Sequence, residues 1–233
     1  LDMLAAENNT AVVTGILDYK ENGDAYNGMI VLGKFGKDAT GGDYRYNTSN
    51  RYQKHHLLPV GEFVPFQDVL KYVAPLFNLP MSSFSRGAWL QPNLQANGYS
   101  LLAALCFEIA FPRQMIANFS DNTHFLLTVS NDAWFGDSIG PHQHLEIARM
   151  RALELGRPLL RATNNGITAV VTADGNEQAR LPQFEAGVLT AEVPLVQGRT
   201  LYSLWGDWPV LAISLCCVGL LSFRRYQLAK QAK

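Results

Sequence analysis

Apolar and polar positions alternate in blocks along the 233-residue chain. Residues 11–19 (AVVTGILDY) are β-branched and apolar and predict a strand. Glu21-Asn22-Gly23-Asp24 reads as a turn, and residues 26–33 (YNGMIVLG) as the returning strand. Residues 34–50 mix glycine, threonine and charge and read as a loop; residues 52–58 read as another short strand. Phe66, Val69, Leu70, Val73 and Phe77 recur at helical spacing and predict a helix over 66–77. Residues 79–97 carry Pro80, Gly87 and Pro92 and read as a long loop, a kind of segment that is usually functional when ordered.

Two nearly unbroken apolar runs follow, 99–106 (YSLLAALC) and 125–131 (FLLTVSN). They have the composition of strands buried on both faces. Pro112 opens a predicted short helix over 112–119. The clearest helix is 141–156. There Leu145, Ala148, Ala152 and Leu155 share one face, Pro141 lies near the first turn and Gly156 at the end. Residues 167–173 and 188–193 read as strands, with Ala173-Asp174-Gly175-Asn176 a hairpin-type turn. Alternating strands and helices predict one α/β domain over residues 1–203.

The pattern changes near the C-terminus. Residues 208–223 (WPVLAISLCCVGLLSF) contain no charge, and at ~1.5 Å per residue they span roughly 24 Å. Adding residues 204–207 predicts a transmembrane helix over 204–223, flanked by Trp205, Trp208 and Tyr226 as interfacial aromatics. The remainder, 224–233, holds Arg224, Arg225, Lys230 and Lys233 without an acid and is expected in the cytoplasm. The domain 1–203 is then expected on the opposite side, the periplasm of a Gram-negative cell.

Composition narrows the picture. Apolar residues make up 48% and charged residues 17%, below the ~25% of an average soluble chain. A net charge of −1 argues against a strongly basic nucleic-acid binder and against a disordered acidic chain. Three cysteines do not make a disulfide scaffold, and no Cys or His spacing resembles a zinc site, so no metal or cofactor is expected. The chain starts at Leu1 rather than Met and is expected to be a piece of a longer protein.

Few residues carry chemistry. Cys106 ends a buried strand, where α/β folds place reactive groups. It is a nucleophile if a neighbouring cation stabilises its thiolate, or else an inert buried thiol. Lys54, in QKHHL, could stabilise a thiolate or donate to an oxyanion, or lie solvated on the surface. Glu62, in PVGEFVP, is flanked by apolar residues and prolines. His142 and His144, two apart on a helix, make a poor metal pair. Asn131-Asp132-Ala133-Trp134-Phe135-Gly136 is either the wall of a cleft or a structural plug. Arg149, Arg151, Arg157 and Arg161 read as helix-face ion-pair residues.

In this order, KHHLLPVGEFVP, LLAALCFEI, SNDAWFG and ARMRALELGRPLLRATNNG resemble the nitrilase, or carbon-nitrogen hydrolase, superfamily. MSSFSRG, SNDAWFGDSIGP and RATNNGITAV are similar to its apolipoprotein N-acyltransferase branch. The resemblance covers nearly the whole chain. It implies an α-β-β-α sandwich, N-terminally truncated here, followed by the membrane helix. It implies Cys106 as nucleophile, Lys54 as the triad lysine, and Glu62 and Glu108 as further glutamates near the active site. The Phe107 amide would join Lys54 in an oxyanion hole; close relatives often have Tyr at that position. Trp134 and Phe135 would meet acyl chains. The triad glutamate is expected upstream of Leu1. The implied reaction moves an acyl chain from a phospholipid, through a cysteine thioester, to the N-terminal amine of a diacylglyceryl apolipoprotein. A nitrilase-type amidase and an inactive fragment are the alternatives.

Overall fold

The fold is that of a computed structural model, which describes residues 1–59, 61–63 and 84–231. The helix expected over 66–77 lies outside the described residues. Helix α1 (Asp2–Glu7) leads into β1 (Ala11–Tyr19), β2 (Ala25–Gly33) and β3 (Arg51–Gln53), an antiparallel three-stranded sheet. A second sheet has six strands in sequence order: β4 (Leu94–Ala96), β5 (Tyr99–Leu105), β6 (Phe125–Asn131), β7 (Leu159–Asn164), β8 (Ala169–Val171) and β9 (Glu177–Arg180). Strands β5, β6 and β7 are parallel. Their crossovers carry α2 (Pro112–Asn118) and α3 (Gly140–Leu155).

The apolar runs of β5 and β6 divide between two cores because side chains alternate along a strand. Leu101, Ala103, Leu105, Phe125 and Leu127 face the first sheet and pack with Met29, Val31 and Tyr52. Leu102, Ala104 and Leu126 face the other way, onto Met115 of α2 and Leu145, Ala148, Ala152 and Leu155 of α3. Sheet, sheet and helices are therefore successive layers. Both faces of the central strands are covered, as their composition requires.

Four expectations need correction. The strand expected over 52–58 ends at Gln53, because the amides of His55 and His56 turn inward to Glu108. The loop expected over 79–97 contains β4, joined to β5 by Asn97 and Gly98, both at positive φ. Residues 159–164 form β7, and Arg161 lies in it rather than on a helix face. Residues 188–193 form no strand; Val188 is exposed.

After the second sheet, Thr200 caps α4 (Leu201–Trp205) by accepting the Ser203 amide at 3.0 Å. The Thr200 hydroxyl also donates to the Glu154 carbonyl of α3. Gly206, with φ +54, ends α4, and α5 runs over Trp208–Gln231. This helix is long and apolar enough to cross a membrane, and none of it is buried against the rest of the chain.

Candidate active site

Strand β5 stops at Leu105, one residue before expected, and Cys106 opens a 3-10 turn with φ +52. For a residue with a Cβ, this backbone costs roughly 1–2 kcal/mol and persists only where its surroundings impose it. Two contacts do so. Glu108 reaches back to accept the Leu105 amide at 2.9 Å, and His144 Nε2 lies 3.1 Å from the Cys106 carbonyl oxygen. The half-buried free thiol lines an open cleft of about 580 Å³. The cleft lies at the carboxyl ends of β5, β6 and β7, where α/β sheets receive ligands. Ser130, Asn131, Thr163 and Asn164 line it from the second sheet, Thr14 and Asn27 from the first.

Lys54 and Glu62 meet directly. Lys54 is 2% exposed, and its ammonium lies 2.7 and 2.9 Å from the two Glu62 carboxylate oxygens. Glu62 also accepts from Asn27 Nδ2 at 2.6 Å and the Leu58 amide at 2.7 Å. A buried ammonium is tolerable only with such a partner. Asn27 connects the pair to the cleft: it lines the cleft, and its carbonyl accepts the Lys54 amide at 2.8 Å.

Glu108, 1% exposed, ties the end of β5 at Cys106 to the segment after Lys54. Besides Leu105 it accepts the amides of His55 (2.7 Å) and His56 (3.0 Å) and the Tyr52 hydroxyl (2.9 Å). Burial pushes its carboxyl above the ordinary carboxylate range, against the four donors. Burial, and then the neighbouring Glu108, push the Tyr52 phenol up as well.

A third buried group was not singled out by its sequence. Asp132, fully buried, receives Arg161 Nη2 at 2.8 Å and the Ser130 hydroxyl at 2.5 Å, and lies 3.0 Å from His144 Nδ1. Burial alone would raise its carboxyl. The hydrogen bonds from His144 and Ser130, with the charges of His144 and Arg161, outweigh burial and hold it below the usual range. Asp132, His144 and Arg161 stand 12 to 29 residues apart, so no local motif joins them.

The NDAWFG segment divides. Trp134, 77% exposed, is a wall of the cleft. Phe135 is not among the cleft-lining residues and sits edge-on to His144, ring centroids 6.3 Å apart.

Comparison with known proteins agrees with this architecture. Residues 1–202 match the carbon-nitrogen hydrolase family. The chain is 56% identical over 220 residues to the apolipoprotein N-acyltransferase of Photobacterium profundum, covering 94% of this chain and 42% of that protein. It is 54% identical to that of Shewanella oneidensis (94% and 43%) and 45% identical to that of Haemophilus influenzae (97% and 42%). The chain thus spans less than half the length of these relatives. Among solved structures, a variant of the amidase from Nesterenkonia sp. AN1 matches with a TM-score of 0.56 at 18% identity, over 91% of this chain and 70% of that one. Another structure of an amidase from Nesterenkonia sp. gives 0.52 at 19% identity, over 79% and 61%. These likenesses show a shared nitrilase-like fold. The chain belongs to the carbon-nitrogen hydrolase family.

Proposed function

We propose that the protein is a membrane N-acyltransferase that loads an acyl chain onto Cys106 and passes it to an apolipoprotein. The supporting observation is Cys106 itself: a free thiol on an imposed left-handed turn, facing a cleft, in a chain 56% identical to an apolipoprotein N-acyltransferase. In the first half-reaction the thiolate attacks an ester carbonyl of a phospholipid. The ester C–O bond breaks, and the thiol proton ends on the hydroxyl of the departing lysophospholipid. A glutamate that the family resemblance puts upstream of Leu1 carries that proton. Lys54 and the Phe107 N–H stabilise the tetrahedral oxyanion, an effect of about 3–4 kcal/mol per donor. Glu62 holds Lys54, and Glu108 holds the two segments in register. In the second half-reaction the free amine of a diacylglyceryl-cysteine attacks the thioester. An amide forms, the C–S bond breaks and Cys106 regains its proton.

Both substrates are lipid-anchored, which suits a domain (residues 1–203) carried on a spanning helix. Trp134, which lines the same cleft as Cys106, is the apolar surface for the acyl chain; Phe135, expected to share that role, lies outside the cleft lining and packs edge-on to His144. The basic segment 224–233 faces the cytoplasm and the cleft faces the periplasm of the inner membrane.

The test uses the full-length protein in detergent with phosphatidylethanolamine. Mass spectrometry should find an acyl mass on the Cys106 peptide. Neutral hydroxylamine should remove it, Cys106→Ser should lack it, and an apolipoprotein peptide should discharge it. A folded protein that never carries the adduct would overturn the proposal; an adduct lost to water, with no product on the peptide, would make the protein a hydrolase.

A further inference from the structure

Beside the cleft lies the buried cluster that this chemistry does not use. His144, in the second turn of α3, has Nε2 3.1 Å from the Cys106 carbonyl oxygen. A carbonyl only accepts, so Nε2 carries a proton and donates, whatever the state of Nδ1. Nδ1 sits 3.0 Å from Asp132 Oδ1 and 3.1 Å from Arg161 Nη2. The ring is clamped in turn. The Asp132 amide donates to the Asn164 carbonyl at 3.0 Å, and Arg161 Nε donates to the Ile167 carbonyl at 3.1 Å. Asp132, just after β6, and Arg161, within β7, thereby fix a ring that touches the residue after β5.

The Cys106 carbonyl and the Phe107 N–H belong to one planar peptide unit. No peptide bond among the described residues is cis, so this N–H points opposite to the carbonyl. Pinning the oxygen therefore aims the N–H away from the cluster. As an early amide of the 3-10 turn it has no acceptor within that turn. A donor on the carbonyl also polarises the peptide and strengthens its N–H.

We propose that His144 is a positioning residue: by holding the Cys106 carbonyl it orients the Phe107 N–H as an oxyanion donor. This rests on the reading of Cys106 as the acyl-carrying nucleophile.

Two substitutions in the full-length protein separate the roles of the ring. His144→Asn keeps a polar group near the position of Nδ1 but does not reach the carbonyl. His144→Gln places a donor near the position of Nε2. Two rates are measured at Cys106: acylation by phosphatidylethanolamine, which passes through an oxyanion, and alkylation by iodoacetamide, a displacement at saturated carbon that does not. In His144→Asn acylation should fall about 10²–10³-fold, the loss typical of one oxyanion donor, with alkylation and the KM for phospholipid unchanged. His144→Gln should recover most of that loss. Acylation by His144→Asn at the wild-type rate would overturn the inference. So would acylation and alkylation falling together in both variants, which would mark a general loss of structure. Failure of the underlying reading looks different: wild-type protein alkylated at Cys106 but never acylated.

Discussion

Lys54 and Glu62 carry unequal risk when one of them is removed. Glu62→Ala leaves a buried ammonium without its counter-charge, a change that typically costs about 3–5 kcal/mol. Glu62→Gln keeps an acceptor and should cost less; thermal denaturation of the two variants checks the order. In Lys54→Met the carboxylate still has Asn27 and the Leu58 amide as donors. That variant should therefore lose acylation more than it loses stability. Asp132 makes a prediction about pH. Its native pKa is depressed, so the unfolded chain takes up a proton at higher pH than the folded one. Its contribution is complete above the unfolded carboxylate value of about 3.9 and is lost as pH falls through the lower native value. Acid unfolding followed by circular dichroism should be steeper below about pH 3.9 in the wild type than in Asp132→Asn.

Elements whose own residues state their burial were legible in the sequence. The runs of β5 and β6 announce strands covered on both faces, and the Leu145, Ala148, Ala152, Leu155 stripe announces α3. Strand β7 was not legible, because Arg161 sits in its middle. An arginine reads as surface until Asp132, 29 residues away, is seen to pair with it. Strand β4 did carry a signal, the Asn97-Gly98 pair that marks a tight hairpin. Residues 188–193 show the reverse error, apolar and β-branched side chains with no sheet partner to define a strand. Within the site, Cys106, Lys54, Glu62 and Glu108 lie in segments recognisable by resemblance. His144 was named only to dismiss a metal pair, since its partners come from other elements. The β7–β8 connection offers a test at this scale. A Cβ on Gly166 would meet Asp132 Oδ2 at 2.4 Å and Asp132 Cβ at 2.8 Å. Gly166→Ala should displace Asp132, and with it Arg161 and His144, at a stability cost of about 1–3 kcal/mol. Acylation of Cys106 should fall with it, while iodoacetamide still modifies the thiol; unchanged acylation would show the cluster tolerating the shift.

At the scale of the whole molecule, the proposed topology depends on Trp208–Gln231. These residues fused to a soluble reporter should remain in membranes washed with alkaline carbonate, with Arg224 and Arg225 on the cytoplasmic side; release into the wash would remove the anchor. The joint above this helix has a further consequence. Only Gly206 and Asp207 separate α5 from α4, and Thr200 bonds the start of α4 to α3, the same helix that presents His144 to Cys106. Under the proposed function, the Cys106 cleft is therefore on a short leash, its height above the bilayer set by the fold. The proposed enzyme and its two proposed lipid substrates would then share one plane, and encounter would become a two-dimensional search at high effective concentration. Tight binding of an isolated lipid is unnecessary in such an arrangement; standing at the right height is what counts. Lengthening the joint with a flexible Gly-Ser insert between Gly206 and Asp207 should slow acyl transfer in vesicles while leaving alkylation of Cys106 untouched.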